Sequence, residues 1–166
     1  MIIHPPRKGI RGPVFLAWFG VFFVLVATGT LIFGFVLAGG VRKTAALTDN
    51  AVRTVAWNVL RYAAAHDGRF PTSESEFLEG SRNGVDPPPS ATKAWPTDEK
   101  TALLGHHASP LPQALGEITV HWPVESWVAP EIQPKGKPTL PGTLDAVRGW
   151  LHAWVDAHPK SAAPRP

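Results

Sequence analysis

The chain has 166 residues, and its 16 lysines and arginines against 13 acidic residues give a formal charge of only +3. These charges are few and evenly scattered, which excludes the basic stripe expected of a nucleic-acid-binding protein. The absence of cysteine also excludes disulfides, thiol catalysis and thiolate metal sites.

A basic tail, residues 1–13, precedes a long uncharged run. Residues 14–38, VFLAWFGVFFVLVATGTLIFGFVLA, carry no charge, and a helix of that length exceeds a hydrocarbon core about 30 Å thick. The run is also much longer than the apolar part of a cleaved signal peptide, usually about 7–15 residues. The sequence therefore predicts an uncleaved transmembrane helix over residues 14–40, in contact with the lipid bilayer.

Cations flank this run on both sides. Three precede it and three follow it: Arg7, Lys8, Arg11, Arg42, Lys43 and Arg53. A short tail with three cations is hard to translocate. We therefore expect a bacterial cytoplasmic (inner) membrane protein with its N-terminus in the cytoplasm and its C-terminal region in the periplasm.

Small side chains recur every four residues in the run, at Thr30, Gly34 and Ala38. This spacing forms a stripe that a second membrane helix can approach closely, although small residues are also generally frequent in membrane helices. The run contains no histidine, acid or base, so it offers neither an axial ligand for a cofactor nor an ion path. We expect no cofactor and no transport activity.

Residues 41–80 predict a stalk helix and a corner. The stalk charges Asp49, Arg53 and Arg61 fall off the apolar stripe and are interpreted as a solvated face. The helix is expected to end at Gly68, and Ser73 with Glu76 has the spacing of a capping box for a second short helix. The apolar stripe has three- and four-residue spacing: Leu47, Ala51, Val52, Val55, Val59 and Ala63.

Residues of about 14–80 resemble the type IV pilins and type II secretion pseudopilins, which have an N-terminal membrane helix, an amphipathic stalk and a similar corner. The resemblance implies a pilin-like body on the outer face of the cytoplasmic membrane. The processing signature of that family, a glycine followed by Phe-Thr-Leu-Ile-Glu, is absent here. The matching corner positions are Tyr62, Gly68, Arg69, Phe70, Pro71 and Thr72.

Residues 81–142 are rich in proline. The stretches NGVDPPPSATKAWP and APEIQPKGKPTLPG predict turns and polyproline II, whereas EITVHWPVESWV predicts one or two short strands broken at Pro123. TDEKTALLG predicts a helical turn or two. We expect this region to have little internal means of holding one conformation.

Residues 143–158 predict an amphipathic helix with Thr143 as its N-cap, followed by a tail over residues 159–166. Its apolar face, which includes Trp150, Leu151 and Trp154, has three possible fates: the protein's own core, the membrane interface or a partner. The polar side is formed by Asp145, Arg148, Gly149, His152 and Asp156.

Three histidines, His106, His107 and His121, are weak candidates for a metal site. The first two are adjacent on a predicted loop, and the sequence lacks a ligand pair spaced one helical turn apart. No Ser-His-Asp pattern or phosphate-binding glycine loop stands out either, so no enzymatic activity is predicted.

The fold class predicted is mainly α with irregular proline-rich segments: a transmembrane helix continuing into an amphipathic stalk, a small β element and a C-terminal amphipathic helix. The preferred function is a non-catalytic accessory subunit of a larger membrane complex, such as a respiratory or photosynthetic assembly, with other membrane subunits as partners. The alternatives are a pseudopilin-like component of a secretion or pilus machine and a membrane-anchored metal-handling domain.

Overall fold

The computed structural model describes residues 12–90 and 92–159. The chain divides into two units between Val41 and Arg42. We call residues 16–41 the apolar segment and residues 42–159 the body. The predicted tails, apart from residues 12, 13 and 159, lie outside the described residues.

The first helix, α1, runs over Gly12–Ala65. It is continuous through Gly39 and Gly40, because a glycine costs a helix only about 1 kcal/mol and the flanking residues are good helix formers. The prediction of one long apolar N-terminal helix is confirmed. The predicted membrane helix and stalk helix are therefore a single element.

A tight corner follows α1. Asp67 and Gly68 adopt left-handed backbone angles, with φ of 54° and 84°, and the Gly68 N–H donates to the Ala63 carbonyl at 2.9 Å. The next helix, α2, covers Glu74–Gly80, and its N-cap Ser73 accepts from the Glu76 N–H as predicted. A 3-10 turn at Ser81–Asn83 completes the corner.

The proline-rich region holds more regular structure than the sequence predicts. Helix α3 covers Glu99–Ala102, helix α4 covers Leu111–Glu117, strand β1 covers Ile118–His121 and strand β2 covers Glu131–Pro134. The interpretation of the β2 stretch as polyproline II is wrong, and α4 was not predicted. The two strands pair antiparallel, from Ile118 opposite Pro134 to His121 opposite Glu131, so the proline lies at a strand end, where its missing N–H is tolerated.

The last helix, α5, covers Thr143–Ala157. Thr143 is its first residue and Gly142 is the N-cap, with φ of 81° and no side-chain cap, so the predicted Thr143 cap is wrong. The Thr143 hydroxyl instead donates to the buried Asp49 carboxylate. The hydroxyl thus satisfies a carboxylate inside the core, where water is absent, and does not cap the helix end, which water can reach.

The body forms its core around the second half of α1. Nearly every residue from Ala51 to Ala63 is buried or half-buried, so this stretch is enclosed on all sides. The predicted one-sided stripe is therefore wrong in two respects: Leu47 is 55% exposed, whereas Asp49 and Arg53 are 4% and 8% exposed. The rest of the core comes from later elements: Phe70, Phe77, Trp95, Ala114, Ile118, Ile132, Val147, Leu151 and Trp154.

Candidate functional site

The apolar segment presents its side chains outward all around the helix. Every described side chain from Leu16 to Val41 is exposed, and the large ones reach 79% exposure at Phe35. Among the described residues, one helix is long and apolar enough to cross a membrane, and it contains this segment. Water solvates such a surface poorly, because each Å² of exposed apolar area costs about 25 cal/mol.

The predicted stripe of Thr30, Gly34 and Ala38 lies on this exposed surface. The Thr30 hydroxyl donates to the Val26 carbonyl one turn earlier, at 2.8 Å, so the stripe carries a polar group that is already satisfied. Apart from the adjacent backbone of its own helix, a Cβ added at Gly34 would meet nothing within 4 Å. The stripe therefore has room for close approach by another helix.

A buried ion pair lies in the first turns of α1 within the body. Arg53 Nε donates to Asp49 Oδ2 at 3.1 Å, and Thr143 Oγ1 donates to Asp49 Oδ1. The pair follows the i, i+4 spacing that brings side chains together on a helix. Its burial disagrees with the predicted solvated face, because partners from α3 and α5 cover it.

The guanidinium of Arg53 is shared among these partners. Its Nη1 donates to the Ala102 carbonyl at 3.4 Å, and its carbon lies 5.6 Å from the centre of the Trp150 ring, a cation–π distance. One arginine therefore connects α1, α3 and α5. The arrangement is a structural clamp, since Nε and Nη1 of Arg53 and both carboxylate oxygens of Asp49 bond to other groups of the protein.

The apolar face of α5 packs inside the body. Leu151 and Trp154 are 2% and 1% exposed. Trp150 is half-buried against a small cluster formed by Trp57, Ala102 and Leu103. The Trp154 ring contacts Trp95 edge to face at 5.1 Å. Of the three fates considered for this face, the structure places these residues in the protein's own core.

The corner contains a second polar cluster. The Tyr62 hydroxyl donates to Glu76 Oε1 at 2.6 Å, and the N–H and hydroxyl of Thr72 both donate to Oε2. The Tyr62 hydrogen bond, followed by those from Thr72, lowers the pKa of Glu76. Burial and the Glu76 contact raise the pKa of Tyr62. Tyr62, Thr72 and Glu76 thus form a hydrogen-bonded joint between α1 and α2.

The three candidate metal ligands are not brought together. His106, His107 and His121 are all exposed, and in the described ranges no group of three histidine, aspartate or glutamate side chains is placed to hold a metal ion. The carbonyl of His107 instead accepts from Asn50 Nδ2 at 3.0 Å. His107 therefore anchors a loop on α1 through its backbone.

A groove of about 290 Å³ lies between β2 and α5. Ile132 and Leu151 are among its apolar lining residues, and Glu131, Arg148 and His152 supply its polar lining. The lining contains no serine, threonine or lysine, so this groove offers no side-chain nucleophile of those kinds.

Sequence reasoning missed the ties that hold the proline-rich region. Trp95 Nε1 donates to the Pro88 carbonyl at 2.9 Å and its ring enters the core, whereas Arg61 Nη2 donates to the Gly84 carbonyl at 2.7 Å. The expectation that this region lacks internal means of holding one conformation is wrong. A single tryptophan between the three consecutive prolines at 87–89 and Pro96 was the signal available for this anchor.

Comparison of the chain with families of known proteins, with curated proteins and with solved structures finds no match.

Proposed function

We propose that the chain is a non-catalytic accessory subunit of a larger membrane complex. It crosses the bacterial cytoplasmic membrane once, with its N-terminal tail in the cytoplasm and its body in the periplasm. The observation that carries the proposal is the apolar segment, whose described side chains are all exposed. Lipid and neighbouring membrane helices are the surroundings that satisfy such a surface.

The stripe of small residues supports the second half of the proposal. In lipid, helices associate through close packing, and small side chains allow the backbones to approach. The body also has an occupied core, and its charged clusters are internally paired. A role in assembly accounts for a chain that combines an open membrane surface with a self-contained body.

Gentle detergent extraction followed by native electrophoresis and identification of co-migrating chains tests the proposal. We expect the protein to migrate with other membrane subunits. Migration as a lone monomer would contradict the subunit role.

Two matched glycine variants test whether the stripe is the contact. Gly34→Ile fills the stripe, whereas Gly29→Ile adds the same bulk elsewhere around the helix, and neither position has a described atom within 4 Å of an added Cβ. We expect Gly34→Ile to dissociate the complex and Gly29→Ile to leave it intact. Equal behaviour of the two variants would remove the stripe from the proposal.

A pseudopilin-like role is the second candidate, favoured by the corner. Phe70 and Pro71 are buried there, and the Tyr62 hydroxyl donates to Glu76 in the following short helix. These contacts support a pilin-like corner. Detection of the protein in purified filaments, or of a processed N-terminus in cells, would promote this candidate over the first.

A further inference from the structure

The groove between β2 and α5 has two different walls. On one side it touches residues 129–132, which are the beginning of β2 and the two residues before it. Consecutive residues of an extended chain place their side chains on opposite faces, so a cavity that touches all four runs along the backbone edge. The other wall is a single stripe along two turns of α5. It consists of Leu144, Val147, Arg148, Leu151 and His152.

The hydrogen bonds of the sheet show which backbone groups of β2 face away from β1. The Lys135 N–H donates to the Glu117 carbonyl at 3.1 Å, and this pair continues the register in which Ile118 lies opposite Pro134. Hydrogen-bonded and non-hydrogen-bonded pairs alternate in an antiparallel ladder. Ile132 therefore belongs to a non-hydrogen-bonded pair, and its N–H and carbonyl point to the other edge of β2.

That edge of β2 is open. The sheet of the described residues consists of β1 and β2, so no third strand pairs with β2 there. Pro130 and Pro134 hold the neighbouring outward positions and have no N–H, and the Pro134 carbonyl already accepts from Gly136. The groups that remain are the Pro130 carbonyl and the N–H and carbonyl of Ile132. They suit a short extended segment and exclude a long paired strand.

The α5 wall of the groove carries a cation. Arg148 is exposed, and among residues 12–90 and 92–159 no acid forms a salt bridge with its guanidinium. The acid on the opposite wall, Glu131, instead accepts from Gln133 Nε2 at 2.9 Å. A carboxylate is the group that pairs best with a guanidinium. The complement that this wall lacks is therefore an acidic side chain.

We propose that the groove binds an extended peptide segment of another protein, which adds to the open edge of β2, pairs one residue with Ile132 and places an acidic side chain at Arg148. Addition of a strand to a sheet edge is a known mode of peptide recognition, in which backbone hydrogen bonds give affinity and side-chain contacts give specificity. The inference goes beyond the proposed function, because it concerns the body alone and does not require the apolar segment to lie in lipid.

A peptide segment fits this groove better than a second copy of the chain. The groove of about 290 Å³ lies at the low end of the range for ligand pockets, about 300–1,000 Å³. A second copy would bring its own β1 and α5 together with its β2. A single extended segment brings only its own backbone and side chains.

Selection from a display library of random linear nonapeptides, on the full chain in detergent, tests the proposal. We expect the retained peptides to share an acidic residue, and Arg148→Glu to weaken their binding about tenfold. Arg82→Glu is the matched control, because it reverses another exposed cation that does not line the groove, and it should leave the affinity unchanged. Retention of no peptide, or equal affinities of the two variants, would overturn the proposal.

Hydrogen exchange of the natural chain tests the strand pairing without a variant. Over residues 130–134 the ladder already holds the N–H groups of Glu131 and Gln133, and the two prolines have none. The amide of Ile132 is therefore the one that can gain a partner. We expect a retained peptide to slow its exchange roughly tenfold or more and to leave the loop around Val124, which is 97% exposed, unchanged.

Two results of the exchange experiment would contradict the peptide as occupant. Binding of a retained peptide without slower exchange at Ile132 would place the peptide elsewhere on the body. Slower exchange at Ile132 when the concentration of the chain alone is raised would identify a second copy as the occupant.

Discussion

The two halves of α1 differ in which side chains they expose: one half exposes apolar side chains, whereas the other half buries polar and charged ones. The apolar segment has no charged residue and exposes its described side chains, whereas the half inside the body buries Thr48, Asp49, Arg53 and Thr54. Helix formation by itself therefore does not decide whether polar residues are exposed. The surroundings of each half decide which of its side chains are exposed, and the two halves require different surroundings.

Removing one partner of the buried ion pair should produce the largest effect on the enclosed half. Arg53→Met leaves the Asp49 carboxylate buried without its cation, which costs about 3–5 kcal/mol. Urea unfolding of the full chain in detergent, followed by tryptophan fluorescence, measures the loss. Lys137→Met is the matched control, because it breaks an exposed pair with Glu117 and should cost about 0–1 kcal/mol. Similar losses in the two variants would contradict the enclosed clamp.

A charge in the apolar segment should affect membrane integration and leave the body intact. Ala27→Arg near the centre of the run raises the free energy of insertion by about 2.5–3.5 kcal/mol. The fraction that resists alkaline carbonate extraction should fall accordingly. Val124→Arg, at a 97% exposed position of the body, should not change that fraction. If Ala27→Arg is retained like the parent chain, lipid is not the environment of this half.

At the corner, the close packing of α2 against α1 depends on a glycine. A Cβ added at Gly80 would lie 2.3 Å from Cε2 of Tyr62, so Gly80→Ala must displace that ring and should cost about 1–3 kcal/mol. Gly149→Ala in α5 meets nothing within 4 Å and should instead stabilise the helix by about 0.5–1 kcal/mol. Thermal unfolding of both variants tests the pair, and equal shifts would refute the tight contact.

The smallest effect expected is a dependence of stability on pH at the corner. The folded pKa of Glu76 lies below its ordinary value of 4.5, so its contribution is present above pH 4.5 and is lost as pH falls through the folded pKa. The folded pKa of Tyr62 lies above its ordinary value of 10.0, so its contribution is present below pH 10 and decreases as pH rises beyond it.

Two variants separate the acid limb and the alkaline limb of the plot of stability against pH. Glu76→Gln should flatten the acid limb, and Tyr62→Phe should flatten the alkaline limb, in unfolding free energies measured from pH 3 to 11. Asp98→Asn serves as the reference, because hydrogen bonds from Thr101 also lower the pKa of Asp98, outside the corner. An acid limb that flattens only in Asp98→Asn would exclude Glu76 as its source.

Features encoded by neighbouring residues could be predicted from the sequence. The uncharged run, the Ser73 cap and the division of α5 into an exposed and a packed side all follow from spacing within one or two turns. The stripe at Thr30, Gly34 and Ala38 rests on the same kind of spacing, and its role in helix packing stays a prediction. These patterns need no knowledge of the rest of the fold.

Features that depend on distant partners could not be predicted. Asp49 was assigned to solvent because its partner Thr143 lies 94 residues away, and the strand at Ile132 forms only because β1 pairs with it. A count of apolar spacing assumes that one face of a helix is covered. It fails where several segments enclose the helix, as they do around Trp57 and Arg53.

The span of the contact between Asp49 and Thr143 also orders events during synthesis. The apolar segment leaves the ribosome before Asp49, whereas Thr143, on the covering helix α5, follows Asp49 by 94 residues. Until α5 emerges, the carboxylate of Asp49 must rely on water or on a chaperone for solvation. Nascent chains that stop before residue 143 should therefore be more sensitive to protease than the full chain, because the body is complete only after α5 has packed on α1.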